Sequence, residues 1–186
     1  MPGFHIISMY TRNTPYEEEV VNLRQSLEQL DVPHTIYPID SLGSWEKNCQ
    51  QKANCIRTAL QDFEEDIVWV DADAVVNSYP QLFEELEGDL AFFWFSFDKR
   101  IRSGTLFLRN RPLCHQLVND WIALNESNQE WDQVNLQTVW EKSYLDLIKV
   151  DILPASYCKI FDNKYQQVEH PVITHFQASR RFKEKV

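Results

Sequence analysis

Residues 66–76 run Asp66-Ile67-Val68-Trp69-Val70-Asp71-Ala72-Asp73-Ala74-Val75-Val76, an apolar stretch that halts at two carboxylates one residue apart. A short, continuous apolar run bounded by charge is the pattern of a strand covered on both faces, so the chain must fold around a central sheet. In extended chain, side chains at i and i+2 project to the same side. Asp71 and Asp73 therefore crowd two negative charges at one strand end. That arrangement calls for a cation, and the hard ions Mn²⁺ and Mg²⁺ take oxygen ligands and share them with substrate phosphates.

Around this strand the pattern alternates. Residues 4–10 read as a first strand, and Thr14-Pro15 opens a helix with Glu17, Glu18 and Glu19 in its first turn and Val20, Leu23, Leu27 and Leu30 at helical spacing. His34–Ile39 reads as a second strand, and 45–63 as a helix with an Ala53, Ile56, Ala59, Leu60, Phe63 stripe. This order predicts an α/β fold with a parallel sheet flanked by helices. Further on, the spacing predicts helices at 79–86, 111–124 and 132–144, and strands at 90–97, 104–108, 147–153 and 172–176, a mixed second half. The polar stretch 125–130 reads as a solvated connector. With 186 residues and 44% hydrophobic content the chain can bury one sizeable core, which predicts a single domain over 1–186.

A net charge of −10 argues against a nucleic-acid partner, since phosphate contacts need a basic face. Cys49, Cys55, Cys114 and Cys158 show neither a CxxC pair nor zinc-ligand spacing, which predicts reduced thiols in a cytoplasmic setting. No run approaches the roughly 20 apolar residues of a membrane span, so no integral membrane segment is expected. The aromatic share, 13%, is high enough to supply rings for stacking on bases or sugars as well as core.

In open parallel sheets, ligands bind beyond the carboxyl ends of the strands. Tyr10, Thr11, Arg12, Asp40, Asp71 and Asp73 should therefore converge on one rim. The order of these elements, with Asp71-Ala72-Asp73 after a hydrophobic strand, resembles the GT-A-fold glycosyltransferases, and within them small retaining galactosyltransferases and glycogenin-like enzymes. The resemblance implies a Rossmann-type, mixed but mainly parallel sheet and a hexosyltransferase activity. It further implies a nucleotide-sugar donor, with uridine diphosphate (UDP) as carrier, and a saccharide or other hydroxyl acceptor.

The same resemblance assigns residues. Asp71, Asp73 and His175, the last from Val172-Ile173-Thr174-His175-Phe176, would hold Mn²⁺ or Mg²⁺. Tyr10, Thr11 and Arg12 would contact the nucleotide, as would Lys52 on the preceding helix. Ser103 and Gly104 would line the donor pocket, and Asp132-Gln133 would open a helix beside the transferred sugar, with Asp132 as the catalytic candidate. Ser179, Arg180 and Lys183 would clamp the diphosphate. The chain's small size implies no elaborate acceptor subdomain. One alternative is a haloacid-dehalogenase-like phosphatase with Asp71 as nucleophile, but its motif normally ends the first strand and requires a late acidic pair that this chain lacks. Others are a nucleotidyltransferase, which would carry a glycine-rich N-terminal loop where this chain has four glycines in all, and a non-catalytic nucleotide-sugar-binding module.

Overall fold

The chain opens with β1 (Phe4–Thr11), whose Phe4, Ile6 and Ile7 are fully enclosed because helices cover both faces of the sheet. The computed structural model describes residues 3–182. After β1 come α1 (Tyr16–Gln29), β2 (His34–Ile39) and α2 (Trp45–Asp62). Ser44 starts α2 by accepting a hydrogen bond from the Lys47 N–H, satisfying one of the unpaired donors of the first turn. Then follow β3 (Asp66–Val70), β4 (Ala74–Val76), α3 (Leu82–Glu85), β5 (Leu90–Phe95), β6 (Arg100–Leu108) and α4 (Pro112–Ser127). The chain continues through α5 (Asp132–Val139), β7 (Val150–Ile152), β8 (Lys159–Ile160), β9 (Ile173–His175) and α6 (Ser179–Phe182).

Six strands make the main sheet in the order β2-β1-β3-β6-β5-β7. β1 runs parallel to β2 and β3, β5 parallel to β7, and β6 antiparallel to both its neighbours. The predicted mixed α/β sheet flanked by helices is therefore present. A smaller sheet, β4-β9-β8, pairs Ala74 with His175 and so carries the late histidine back to the acidic pair. One core, built on Ile7, Ile67, Trp69 and Leu106, lies under α2, α4 and α5, where Trp121 packs. The other, built on Phe4, Ile6, Val68, Val70 and Phe107, lies under α1, α3 and the small sheet.

Two local expectations are corrected. Helix α4 runs on to Ser127, so the connector is shorter than the polar stretch 125–130 suggested. The reason is a buried amide network: Asn125 Nδ2 donates to Gln50 O, Asn135 Nδ2 donates to Asn125 Oδ1, and Asn128 and Asn135 exchange amide hydrogen bonds at 3.0 Å. Strand β5 stops at Phe95 rather than Phe97, after a register shift between Phe92 and Phe93 turns the hairpin early. Among the described residues, no helix is long and apolar enough to cross a membrane.

Candidate metal centre and donor cleft

β1 and β3 end on the same rim, and a cleft of about 480 Å³ opens there. Asp71 and Asp73 sit in the turn between β3 and β4, and each is held by one oxygen. Asp71 Oδ1 accepts from the Trp69 indole N–H at 2.7 Å, and Asp73 Oδ2 accepts from the Ala178 N–H at 2.7 Å. His175 on β9 is buried, with Nε2 2.9 Å from Thr105 Oγ1. The Thr105 contact at Nε2 fixes the ring so that Nδ1 faces the acids, the arrangement by which a ligating histidine is usually oriented.

That leaves a specific deficit. Asp73 Oδ1 and His175 Nδ1 are buried without a hydrogen-bond partner. They stand 3.9 Å apart, close enough for attraction and too far for a hydrogen bond. Unsatisfied buried polar atoms cost about 1–3 kcal/mol each. One ligand atom from each of Asp71, Asp73 and His175 lies within 4.8 Å of the other two. The set fits a divalent ion: carboxylate oxygens plus one imidazole suit Mn²⁺, and an ion between them would satisfy both orphaned atoms.

Neither a family model nor a curated protein matches the sequence. Solved structures do match. A glycosyltransferase involved in the glycosylation of the major capsid of PBCV-1 superposes over 99% of both chains with a TM-score of 0.72 at 15% identity. The glycosyltransferase GlyE of Streptococcus pneumoniae TIGR4 matches 92% of this chain and 54% of its own, with a TM-score of 0.62 at 15% identity. The galactosyltransferase LgtC, solved with donor and acceptor sugar analogs, matches 93% of this chain and 87% of its own, with a TM-score of 0.58 at 12% identity. The chain has a GT-A-like glycosyltransferase fold.

Within this GT-A-like frame the other sequence candidates divide. Tyr10 and Thr11, at the end of β1, line the cleft, as do Ser103, Gly104, Asp132 and Gln133. Ser179 and Arg180 of α6 reach its edge, where Arg180 pairs with Asp162 at 2.6 Å. Arg12 instead turns outward to Asp40 at 3.0 Å, and neither residue lines the cleft. Lys183 lies outside the described residues.

Lys52 lines the cleft but its ammonium is directed into the protein. It sits 3.1 Å from Asp71 Oδ1 and 3.0 Å from Asp132 Oδ2, donates to Ser103 O and Oγ, and lies 5.2 Å from the centre of the Trp69 ring. The Asp132 contact is an ion pair outside hydrogen-bond alignment. Lys52 therefore ties β3's acid to the first residue of α5, and Gln133 reinforces the join by accepting from the Ser103 N–H at 3.1 Å. The aromatic wall opposite was not anticipated: Trp45 donates to the Tyr16 hydroxyl and meets the Trp131 ring edge-on at 5.9 Å. Its signal was available, because Trp45 is the first residue of α2, directly after the β2–α2 turn on the same rim.

The charges are strongly interdependent. Burial disfavours the His175 cation, but Asp73, Cys158 and Asp71 outweigh it and push its pKa up to about 10. Burial likewise opposes ionisation of Asp73, yet His175, the Ala178 N–H and Lys52 bring it below its ordinary value. Asp71 is raised, by enclosure first and by Asp73 after it, with Lys52 opposing. For Lys52, burial is outweighed by Asp132 and Asp71, which keep it charged.

Gly104 makes room for all of this. A Cβ there would stand 3.0 Å from His175 Cε1, 3.2 Å from Nδ1 and 3.4 Å from Asp71 Oδ2, directly in the cradle. Gly104→Ala is expected to abolish measurable Mn²⁺ binding by calorimetry while costing only about 1–3 kcal/mol of stability from overpacking. Wild-type Mn²⁺ affinity in this variant would remove the cradle as a metal site.

Proposed function

We propose that the chain is a metal-dependent glycosyltransferase, a single catalytic unit over 1–186 that transfers a hexose from a UDP-sugar to a hydroxyl acceptor in a reducing, cytoplasmic setting. One observation carries this reading: Asp71, Asp73 and His175 converge within 4.8 Å on the floor of a cleft sized for a single small ligand, with two of their atoms buried and unpaired. The shared fold of the glycosyltransferases above supports it.

When bound, Mn²⁺ would supply Lewis-acid stabilisation of the negative charge that develops on a departing diphosphate. The chain's own residues do the rest. Asp73, in the turn leading into β4, and His175, on β9, would hold the ion, and Asp71 would divide its charge between that ion and Lys52. Tyr10 and Thr11 hold the nucleoside end. Ser179 and Arg180 close on the phosphates, with Lys183 beyond them in the same basic stretch. Asp132 and Gln133, at the first turn of α5, face the transferred sugar, where Asp132 either accepts a sugar hydroxyl or takes the acceptor's proton. The Asp-Gln pair supports a retaining outcome.

The test is a thermal-shift panel of nucleotides and nucleotide sugars with and without Mn²⁺, because a ligand that binds only the folded state raises Tm. Stabilisation by UDP compounds only when Mn²⁺ is present is expected. Metal-dependent release of phosphate from simple esters, without any nucleotide shift, would favour the phosphatase alternative. Within the same assay system, Asp132→Asn is expected to lower kcat by about 10²-fold or more while changing UDP affinity only slightly, the signature of a group used in the chemical step. Equal turnover in variant and wild type would take Asp132 off the catalytic list.

A further inference from the structure

A file of aromatic rings climbs out of the core beside the cleft. Phe93 and Phe95 on β5 lie 6.2 Å apart, Phe95 and Phe97 6.3 Å, and Phe97 meets Tyr165 at 6.1 Å with ring planes only 12° apart. The last two are almost entirely in water: Phe97 is 85% exposed and Tyr165 82%. No core packing requires two large rings to be held near-parallel at the surface, and apolar surface kept in that way marks a contact site.

The loop carrying Tyr165 is firmly built. Lys159 Nζ donates to Asn163 O and Gln166 O, and the buried Gln166 bridges the Ile160 N–H and Cys158 O. The Tyr165 N–H donates to Asn163 Oδ1 at 2.9 Å. On the other side, the Arg102 guanidinium lies 4.9 Å over the Phe95 ring and pairs with Asp98. Asn163 and Arg102 both line the cleft. Tyr165 thus stands one contact beyond the cleft wall, through Asn163, and Phe97 two, through Phe95 and Arg102.

We propose that Phe97 and Tyr165 form the acceptor shelf of this enzyme, stacking a pyranose or furanose ring of a saccharide acceptor. This deepens the glycosyltransferase reading and rests on it. Three arguments favour a sugar. A cleft of about 480 Å³ suits one small ligand, so a second substrate must lie on the rim. The axial C–H bonds of a sugar ring carry partial positive charge and meet the negative face of an aromatic ring, while the exposed Asp98, Lys99, Asp162 and Lys164 beside the shelf can hydrogen-bond its hydroxyls. Finally, two rings offer at most roughly 150–250 Å² each. That is well below the roughly 800 Å² per partner of a stable protein interface, and it matches one or two sugar units.

The experiment reads the shelf separately from the donor site. Saturation-transfer NMR is recorded with maltose, cellobiose, lactose and xylobiose on wild type, on Phe97→Ala/Tyr165→Ala, and on the conservative Phe97→Tyr and Tyr165→Phe. Ring-proton signals are expected from at least one disaccharide in wild type and in both conservative variants, and their loss in the double alanine variant. With UDP-sugar and Mn²⁺, the acceptor KM of the double variant is expected to rise by about tenfold, the loss of two stacking contacts, with UDP affinity intact. Silence from all four disaccharides in wild type, or undiminished signals in the double variant, would overturn the shelf. So would wild-type dimers in sedimentation that the double variant dissolves, which would make the surface a contact between copies. Absent UDP binding alongside normal disaccharide signals would instead reject the donor reading.

Discussion

Asp73→Asn should lower Mn²⁺-dependent UDP affinity by on the order of 10²-fold or more, since it removes a charged ligand while preserving shape. Fold stability should change little. The backbone contact that orients this side chain, Ala178 N–H to Asp73 Oδ2 at 2.7 Å, can be made equally by an asparagine carbonyl. The paired readout matters: calorimetry with Mn²⁺ and UDP should collapse while the thermal midpoint without ligand stays close to wild type. Affinity equal to wild type would mean that the unpaired Asp73 Oδ1 and His175 Nδ1 serve some purpose other than holding an ion.

Lys52→Met should have the opposite profile, a large loss of stability before any loss of chemistry. The methionine fills similar volume but leaves Asp71 and Asp132 without the ammonium that stands 3.1 and 3.0 Å from them. Breaking a buried pair from one side costs about 3–5 kcal/mol, because an uncompensated charge remains. The pH dependence follows from sign. Asp71 is already raised by burial and Lys52 opposes that rise, so in the variant its folded-state pKa moves further above the unfolded value. The folded variant then holds the Asp71 proton to higher pH than its unfolded chain does, and its stability falls as pH rises from about 4 through that raised value. Denaturant melts should therefore show the wild-type-minus-variant gap widening from mildly acidic to neutral pH. A gap independent of pH would mean that lost packing, rather than lost charge, explains the effect.

Much of the site was legible because its chemistry is written in local pattern. The apolar strand before Asp71, the i and i+2 spacing of the acids, and a histidine in a short apolar segment all survive without knowledge of distant contacts. Lys52 could have been read more closely. It falls one helical turn from both Asn48 and Ile56, on the buried stripe of α2, and a lysine on that face needs acids around it. What the sequence concealed were partnerships over long separations. The amides of Asn125, Asn128 and Asn135 look like a solvated loop until Gln50 is brought to them. Phe97 looks like a strand residue until a register shift at Phe92 and Phe93 makes it a hairpin tip facing Tyr165. Polarity and periodicity describe a segment's own preferences, and neither encodes which remote segment will meet it.

The small sheet carries one more implication. Its pairing of Ala74 with His175 stitches together pieces of chain separated by roughly a hundred positions, while β8 joins it locally through Ile160 and His175. Contacts of such long range form late, after the loops between them have closed. The imidazole therefore meets the acids only once the small sheet has closed, so assembly of the candidate metal centre is tied to completion of the fold rather than to the central strand alone.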